Sequence, residues 1–566
     1  MHKIKNIFIL FLLNLLFYLH SEELSFNFKN IINIDELNQK LIELDLTNIS
    51  YNKYFELFVI VSEDYPKLGE YKVWFNDLER KVEEDLLKEF NTTDINKLSV
   101  EKQKKFAEEL LLFIHNYSLS NYDEMSSRIS DIIENKKFNC VSSSILYTIF
   151  LLKYNFKPIA IETKDHVFIE IKFADEDIDV ETTNKIGFNP GEKKDVLDSF
   201  GKITGFTYVP KKNYLERKER SLKRLLLIVY HNLTNYYFKK GDSVKAANLS
   251  YIIYKGMNDK ESYDGFITYF SNHIIFLSNK KDYDTIFNDI NSFLSHFGLE
   301  EKIVNLRYEI IGKFINEFND FKNYEKIEKF LLEQKNLFVK DKTINEKKFL
   351  EIYSYFVYKV TNHLSKNKNF NEAFDLIKRA KRYFNNPEFE KIFNNILVEI
   401  INNYTKKNDF DYLENIIVKL KGDFPEYINT IRIFEKSNIL AKINKLTIDK
   451  KFEEAFKEIE RVYNDYKDDN DFESIHINLY VKYIQNFYDN NDIENVIKYS
   501  DIALNIFRNN KIILNNYRAY LINFIIKQVN AKNFKDARQY LNIALSKFSD
   551  ENILKDLDRK LKELNY

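Results

Sequence analysis

Four side chains in this sequence could do chemistry together. Cys140 is the single thiol of the 566-residue chain, and His166, Asp179 and Glu181 follow it within a short stretch. A thiolate nucleophile, an imidazole that takes and returns a proton, and a carboxylate that orients and charge-stabilises the imidazole are the types a thiol amidase needs. An unpaired, reactive cysteine is one reading of Cys140, and a small buried apolar residue is the other.

The elements around these residues follow from pattern. The run Phe138-Asn139-Cys140-Val141 through Lys153 reads as an apolar helix with Asn139 as its N-cap, so the helix amides and dipole favour a thiolate at Cys140. Pro158 to Glu162 reads as a strand, His166 to Phe173 as an alternating strand, and Ile178 to Thr182 as a second alternating strand after the acidic turn Ala174 to Asp177. Val167, Ile169, Ile171 and Phe173 form the apolar face, which leaves His166 on the opposite face with Phe168 and Glu170. Any hairpin loop of even length puts Asp179 and Glu181 on the His166 face. Register decides which acid is close: a loop at 174–177 leaves Glu181 opposite Glu170, whereas a turn centred on Phe173-Ala174 brings Glu181 and His166 face to face. Glu181 is preferred because Thr183 is available to hold it, with Asp179 in reserve.

Composition bounds the rest. Only 11 Gly and 6 Pro occur, so phosphate-cradling glycine loops and turn-rich β folds have little support and helix dominates. Lys+Arg 85 against Asp+Glu 86 leaves a net charge of -1, which excludes a global basic field for nucleic acid or anionic membrane. His115, His231, His273, His296, His363 and His476 sit on separate helical segments without metal-ligand spacing, so neither a metal nor a cofactor is expected. Residues 7–18 form an apolar run after Lys3 and Lys5, shorter than a spanning helix and suited to a signal segment over 1–21, with an uncleaved N-terminal anchor as the alternative. Export, to a periplasm or beyond, is the expected localisation.

From Ser221 onward the sequence repeats. A polar break precedes an aromatic or aliphatic residue at Tyr283, Tyr324, Phe370, Phe410, Phe452, Ile493 and Phe534, at intervals of about 41 residues, implying about eight stacked helix pairs and a closing helix over 551–565. Small and aliphatic residues recur on one face of the second helices, as in Ala373/Ile377/Ala380, Ala455/Ile459/Val462, Val496/Ser500/Ala503 and Ala537/Leu541/Ala544.

This third region resembles tetratricopeptide repeats, with Pro425 near that family's unit-ending proline, although its units are longer and HEAT-like pairs are the alternative. The middle region is similar to the transglutaminase-like cysteine protease superfamily, on Asn139-Cys140, His166-Val167-Phe168-Ile169-Glu170 and Val180-Glu181-Thr182-Thr183 in that order. The resemblance implies a papain-like α+β fold over about 106–210 with Cys140, His166 and Glu181 as catalytic residues, acting on amide or isopeptide bonds of a protein or peptide. That family usually has Asp at the position of Glu181 and Gly at that of Phe138, which leaves an inactive module in a structural adaptor as the alternative. The expected organisation is a mostly α chain: a segment at 1–21, a helical leader over 22–105, the transglutaminase-like domain over 106–210, and a partner-binding α-solenoid over 221–566. Protein or peptide partners are expected on the solenoid, no nucleic acid, and membrane only through the N-terminal segment.

Overall fold

The structure, a computed structural model, describes residues 26–92, 94–163, 166–190, 217–340 and 346–566. The expected signal or anchor segment at 1–21 lies outside the described residues, as do Gly191, Gly201, Gly205 and Pro210 of the Gly/Pro-rich stretch. The chain divides into two units, 1–316 and 317–566. No helix among the described residues is long and apolar enough to cross a membrane.

The first unit opens with α1 (Phe26–Ile31), α2 (Glu36–Glu43), α3 (Tyr51–Val61) and α4 (Leu68–Lys81). Asp35 and Ser50 cap α2 and α3 through their side-chain oxygens, and Tyr65-Pro66 forms a 3-10 turn between α3 and α4. Next come α5 (Val100–Ser118), β1 (Asn121–Tyr122), α6 (Ile129–Asn135), β2 (Lys137–Phe138) and α7 (Cys140–Lys153). Strands β3 (Pro158–Glu162), β4 (Val167–Lys172), β5 (Asp177–Val180) and β6 (Lys218–Arg220) follow, and then α8 (Leu222–Lys239), α9 (Ser243–Met257), α10 (Lys260–Lys280), α11 (Tyr283–Phe297) and α12 (Glu301–Glu317).

Helix α7 is the central element. Val141 through Leu151 are all buried because α3, α8 and β4 pack around it. The Tyr147 hydroxyl donates to the Ala107 carbonyl of α5 at 2.8 Å, and Lys153 pairs with Glu79 and Glu83 at the exposed end. One hydrophobic core runs through Phe58, Phe75, Ile145, Ile169, Leu226 and Ile252. Each such side chain withdrawn from water contributes about 1.5–3 kcal/mol.

The four-stranded sheet has the order β5-β4-β3-β6, every pair antiparallel, while β1 and β2 form a short parallel pair that sets Tyr122 beside Phe138. The loop from β4 to β5 is Phe173 to Glu176, so Lys172 pairs with Asp177 and Glu170 with Asp179. The sequence expectation that a four-residue loop would set Glu181 opposite Glu170 is corrected by one step in each strand. Burial on β4 does not alternate either: Phe168 and Glu170 are as buried as Ile169 and Ile171. On that face Arg217 ion-pairs with both Glu170 and Asp179 and lies 5.2 Å over the Phe168 ring, so one guanidinium is shared by two acids opposite the core.

In the second unit the helices are α13 (Tyr324–Lys340), α14 (Glu346–Lys366), α15 (Phe370–Tyr383), α16 (Glu388–Thr405), α17 (Phe410–Asp423), α18 (Ile428–Ile448), α19 (Phe452–Tyr466), α20 (Asn470–Asp489), α21 (Ile493–Ile506), α22 (Lys511–Asn530), α23 (Phe534–Lys547) and α24 (Asn552–Glu563). Each first helix packs on its own second helix and on the first helix of the next pair, as α14 does on α15 and α16, and α18 on α19 and α20. That is solenoid-like stacking. Every one of the seven marker residues is the first residue of a helix. Ala373, Ile377, Ala380, Ala537, Leu541 and Ala544 are all fully buried, which lets the paired helices approach closely.

The polar breaks, except the 3-10 turn Phe321–Asn323 before Tyr324, share a backbone device. Two residues before the helix start, the chain turns through a left-handed conformation at Gly241, Lys281, Lys368, Asn408, Lys450, Asn491 and Lys532. Glycine takes this position at no steric cost and asparagine at little, whereas lysine pays for it.

Candidate active site

Cys140 is the first residue of α7 and is partly exposed. Asn139 caps the helix, its Oδ1 accepting from the amides of Val141 (3.0 Å) and Ser142 (3.1 Å), while its Nδ2 donates to the Glu124 carbonyl (2.9 Å) and to Ser127 Oγ (2.6 Å). Ser142 Oγ accepts from the Asn139 amide and donates to the Ser126 carbonyl. The cap thus fixes both the helix start and the 124–127 loop beside the sulfur.

His166 stands immediately before β4, and its Nε2 donates to Glu181 Oε2 at 2.7 Å. Glu181 is fully buried, and its other oxygen accepts from the Thr183 amide at 3.1 Å and the Thr183 hydroxyl at 2.6 Å. The Cys140 sulfur lies close enough to the imidazole to favour its charged form. Burial opposes the charged ring, yet the carboxylate of Glu181 and the Cys140 sulfur outweigh it and raise the His166 pKa to about 10. Cys140, His166 and Glu181 therefore form one relay. Asp179 is elsewhere: its carboxylate is taken by Arg217 at 2.6 and 2.8 Å.

The relay has supports that sequence reading missed. Thr182, next to Glu181, hydrogen-bonds through its hydroxyl with Ser143 (3.0 Å) and Ser144 (2.8 Å) of α7, which ties the acid-bearing turn to the Cys140 helix. His115 donates from Nε2 to the Thr182 carbonyl at 2.9 Å, and burial holds its pKa down to about 4. The tight turn after Glu181 closes with the Glu181 amide on the Gly187 carbonyl (2.8 Å), and a Cβ at position 187 would sit 2.0 Å from the Glu181 carbonyl oxygen. The run Ser142-Ser143-Ser144 on an otherwise apolar helix was the visible signal for this clasp. Tyr122 also stands near the relay, and burial with the nearby Cys140 and Glu181 keeps its phenol protonated well above its usual range.

A cavity of ≈ 750 Å³ opens over Cys140 and His166. Its walls are residues 122–128 with Asp131 of α6, the end of β3 at Glu162 and Thr163, and one face of α8. A second row, Ser243 Oγ to His273 Nδ1 (3.0 Å) and His273 Nε2 to Asp289 Oδ2 (3.1 Å), is 3%, 0% and 0% exposed, and so serves as interior polar packing.

No protein-family model matches the sequence, and no curated protein matches it. A solved structure, titled "Crystal structure of menin reveals the binding site for Mixed Lineage Leukemia (MLL) protein", aligns with 66% of this chain and 88% of that chain at 11% identity and a TM-score of 0.22. A score that low does not place the two chains in one fold. The resemblance to the transglutaminase-like superfamily followed by tetratricopeptide repeats is corrected accordingly: the described chain is mostly helical with small sheets, and nothing matched supports either family. Three short matches in order describe a local helix-strand-strand arrangement, which unrelated folds also build. The class that does stand is a mostly α chain with a solenoid-like helical stack and a small sheet region.

Proposed function

We propose that this is an exported, partner-binding repeat protein whose Cys140 site acts on an amide or isopeptide bond of a protein or peptide. The observation that carries this reading is the relay from Glu181 through His166 to Cys140 at the mouth of a cavity. A charged imidazole beside sulfur supplies both halves of nucleophilic acyl transfer. The thiolate attacks the carbonyl carbon. His166 then gives its proton to the departing amine as the carbon–nitrogen bond breaks, leaving a thioester. Water or a second amine, deprotonated by the now neutral His166, displaces the thiolate and regenerates the pair. The Cys140 amide, at the first helical position and so without an intrahelical acceptor, and the Tyr122 phenol are donors suited to the transient oxyanion.

The helix pairs of the second unit are the proposed partner surface, supported by large apolar side chains left exposed there, among them Tyr358, Val398, Val418 and Ile433. Export rests on the apolar run after Lys3 and Lys5.

Iodoacetamide labelling of the native full-length chain tests the site. Wild type is expected to label at Cys140 near neutral pH, and His166→Ala to slow the reaction at least tenfold with little change in far-UV circular dichroism. A thiol that reacts only after unfolding would overturn the catalytic reading and leave a structural adaptor.

A further inference from the structure

The cavity over Cys140 is closed on one side by α8, a helix that the sequence assigns to the repeats. Three contacts fix how α8 lies against the site. At its first turn, Arg224 pairs with Glu162 at the end of β3 (3.1 Å). In the middle, Asn232 Nδ2 donates to Ser127 Oγ at 2.7 Å, the same oxygen that receives Asn139, the cap of the Cys140 helix. Farther along, the Arg128 guanidinium lies 6.0 Å from the Tyr236 ring centre and donates to the Tyr237 hydroxyl at 3.1 Å.

Cys140 thus faces the middle of α8, and the lining continues both ways, to His231 on one side and to Tyr236 and Lys239 on the other. From Ile228 to Lys239 the helix rises roughly 16 Å at about 1.5 Å per residue, the length of about five residues of extended chain. The chemistry of the wall suits a backbone. His231 lines the cavity, where partial withdrawal from water together with the nearby Arg224 lowers its pKa, so it offers an uncharged donor and acceptor at neutral pH. Charges of both signs line the rest, Arg128 and Lys239 with Asp123, Glu124, Asp131 and Glu162, and Lys137 and Arg224 offset two of those acids from behind the wall.

We infer that the acyl donor is a peptide of several residues laid along α8, so that the first helix of the repeats is the substrate-binding wall of the Cys140 site. This rests on the acyl-transfer reading above. It requires that reactivity at Cys140 depend on peptide length, and that the dependence reside in α8 side chains.

The test uses the full-length chain and three alkylating probes: iodoacetamide, a single-residue acetyl-alanyl acyloxymethyl ketone, and a randomised tetrapeptidyl acyloxymethyl ketone pool. The tetrapeptidyl pool is expected to alkylate Cys140 at least tenfold faster than the single-residue ketone. Either His231→Ala or Tyr236→Ala, whichever lies on the acyl side, should return it to the single-residue rate while the iodoacetamide rate stays at its wild-type value. Equal rates for the two ketones in a chain that iodoacetamide labels normally, or indifference to both substitutions, would overturn the inference and leave the acyl-transfer reading standing. Failure of iodoacetamide itself to label would instead remove the reading on which the inference depends.

Discussion

Replacing Glu181 by Gln keeps the shape of the side chain and removes its charge. In the wild type, burial works against protonation of His166, and the Glu181 carboxylate leads the influences that overcome it, taking the ring from 6.5 to about 10. The net effect favours the charged ring by several kcal/mol, to order of magnitude. Glu181→Gln leaves the burial in place and removes the leading opposing charge, so the His166 pKa should fall toward the ordinary value. Stability should change shape as well as size. Because the folded pKa lies above the unfolded one, the pair's contribution is complete below about pH 6.5 and is lost as the pH rises to about 10. Wild type should therefore lose thermal stability across that alkaline window, and Glu181→Gln should be flatter there. Imidazole nitrogen shifts recorded against pH for both proteins, alongside melting curves at each pH, make the measurement. Wild-type His166 titrating near 6.5, or a titration that Glu181→Gln leaves unmoved, would refute the reasoning.

Three further outcomes follow from the geometry. Gly187→Ala puts a carbon against the Glu181 carbonyl, so it should displace the acid, lower the His166 pKa and cost about 1–3 kcal/mol in urea denaturation. His115 is held neutral to about pH 4, so it draws stability down as the pH falls from 6.5 to 4, by up to about 3 kcal/mol, and His115→Asn should reduce that acid sensitivity in pH-dependent melting. Lys532→Gly relieves a left-handed lysine in the last repeat turn and should raise stability by about 1 kcal/mol or less, whereas Ala at the same position should bring no such gain.

Much of the fold was legible because its signals are local. The helix starts at Tyr283, Phe370, Phe410, Phe452, Ile493 and Phe534 come from a polar turn and an apolar stripe a few residues apart, and each falls where the spacing put it. The Cys140 helix and its Asn139 cap were readable for the same reason, since a cap acts on the amides two and three residues ahead. The wider family resemblance was not sustained, because a few residues around a thiol and an imidazole constrain local geometry and say little about how helices are arranged around them.

Sequence alone determined that a thiol would open an apolar helix, that an imidazole would begin a strand, and that two acids would share its face. It preferred Glu181 to Asp179 on the strength of Thr183, but it did not fix the register. In the register adopted, the hairpin sets Asp179 opposite Glu170, both paired with Arg217, and leaves Glu181 for His166. Only the tertiary structure brought Thr182 onto Ser143 and Ser144, and only it set α8 across from Cys140 to make a cavity. Local propensity reaches about one helical turn along the chain, while register, clasp and cavity wall are contacts between residues tens of positions apart, decided by which packing of the whole satisfies the buried polar groups.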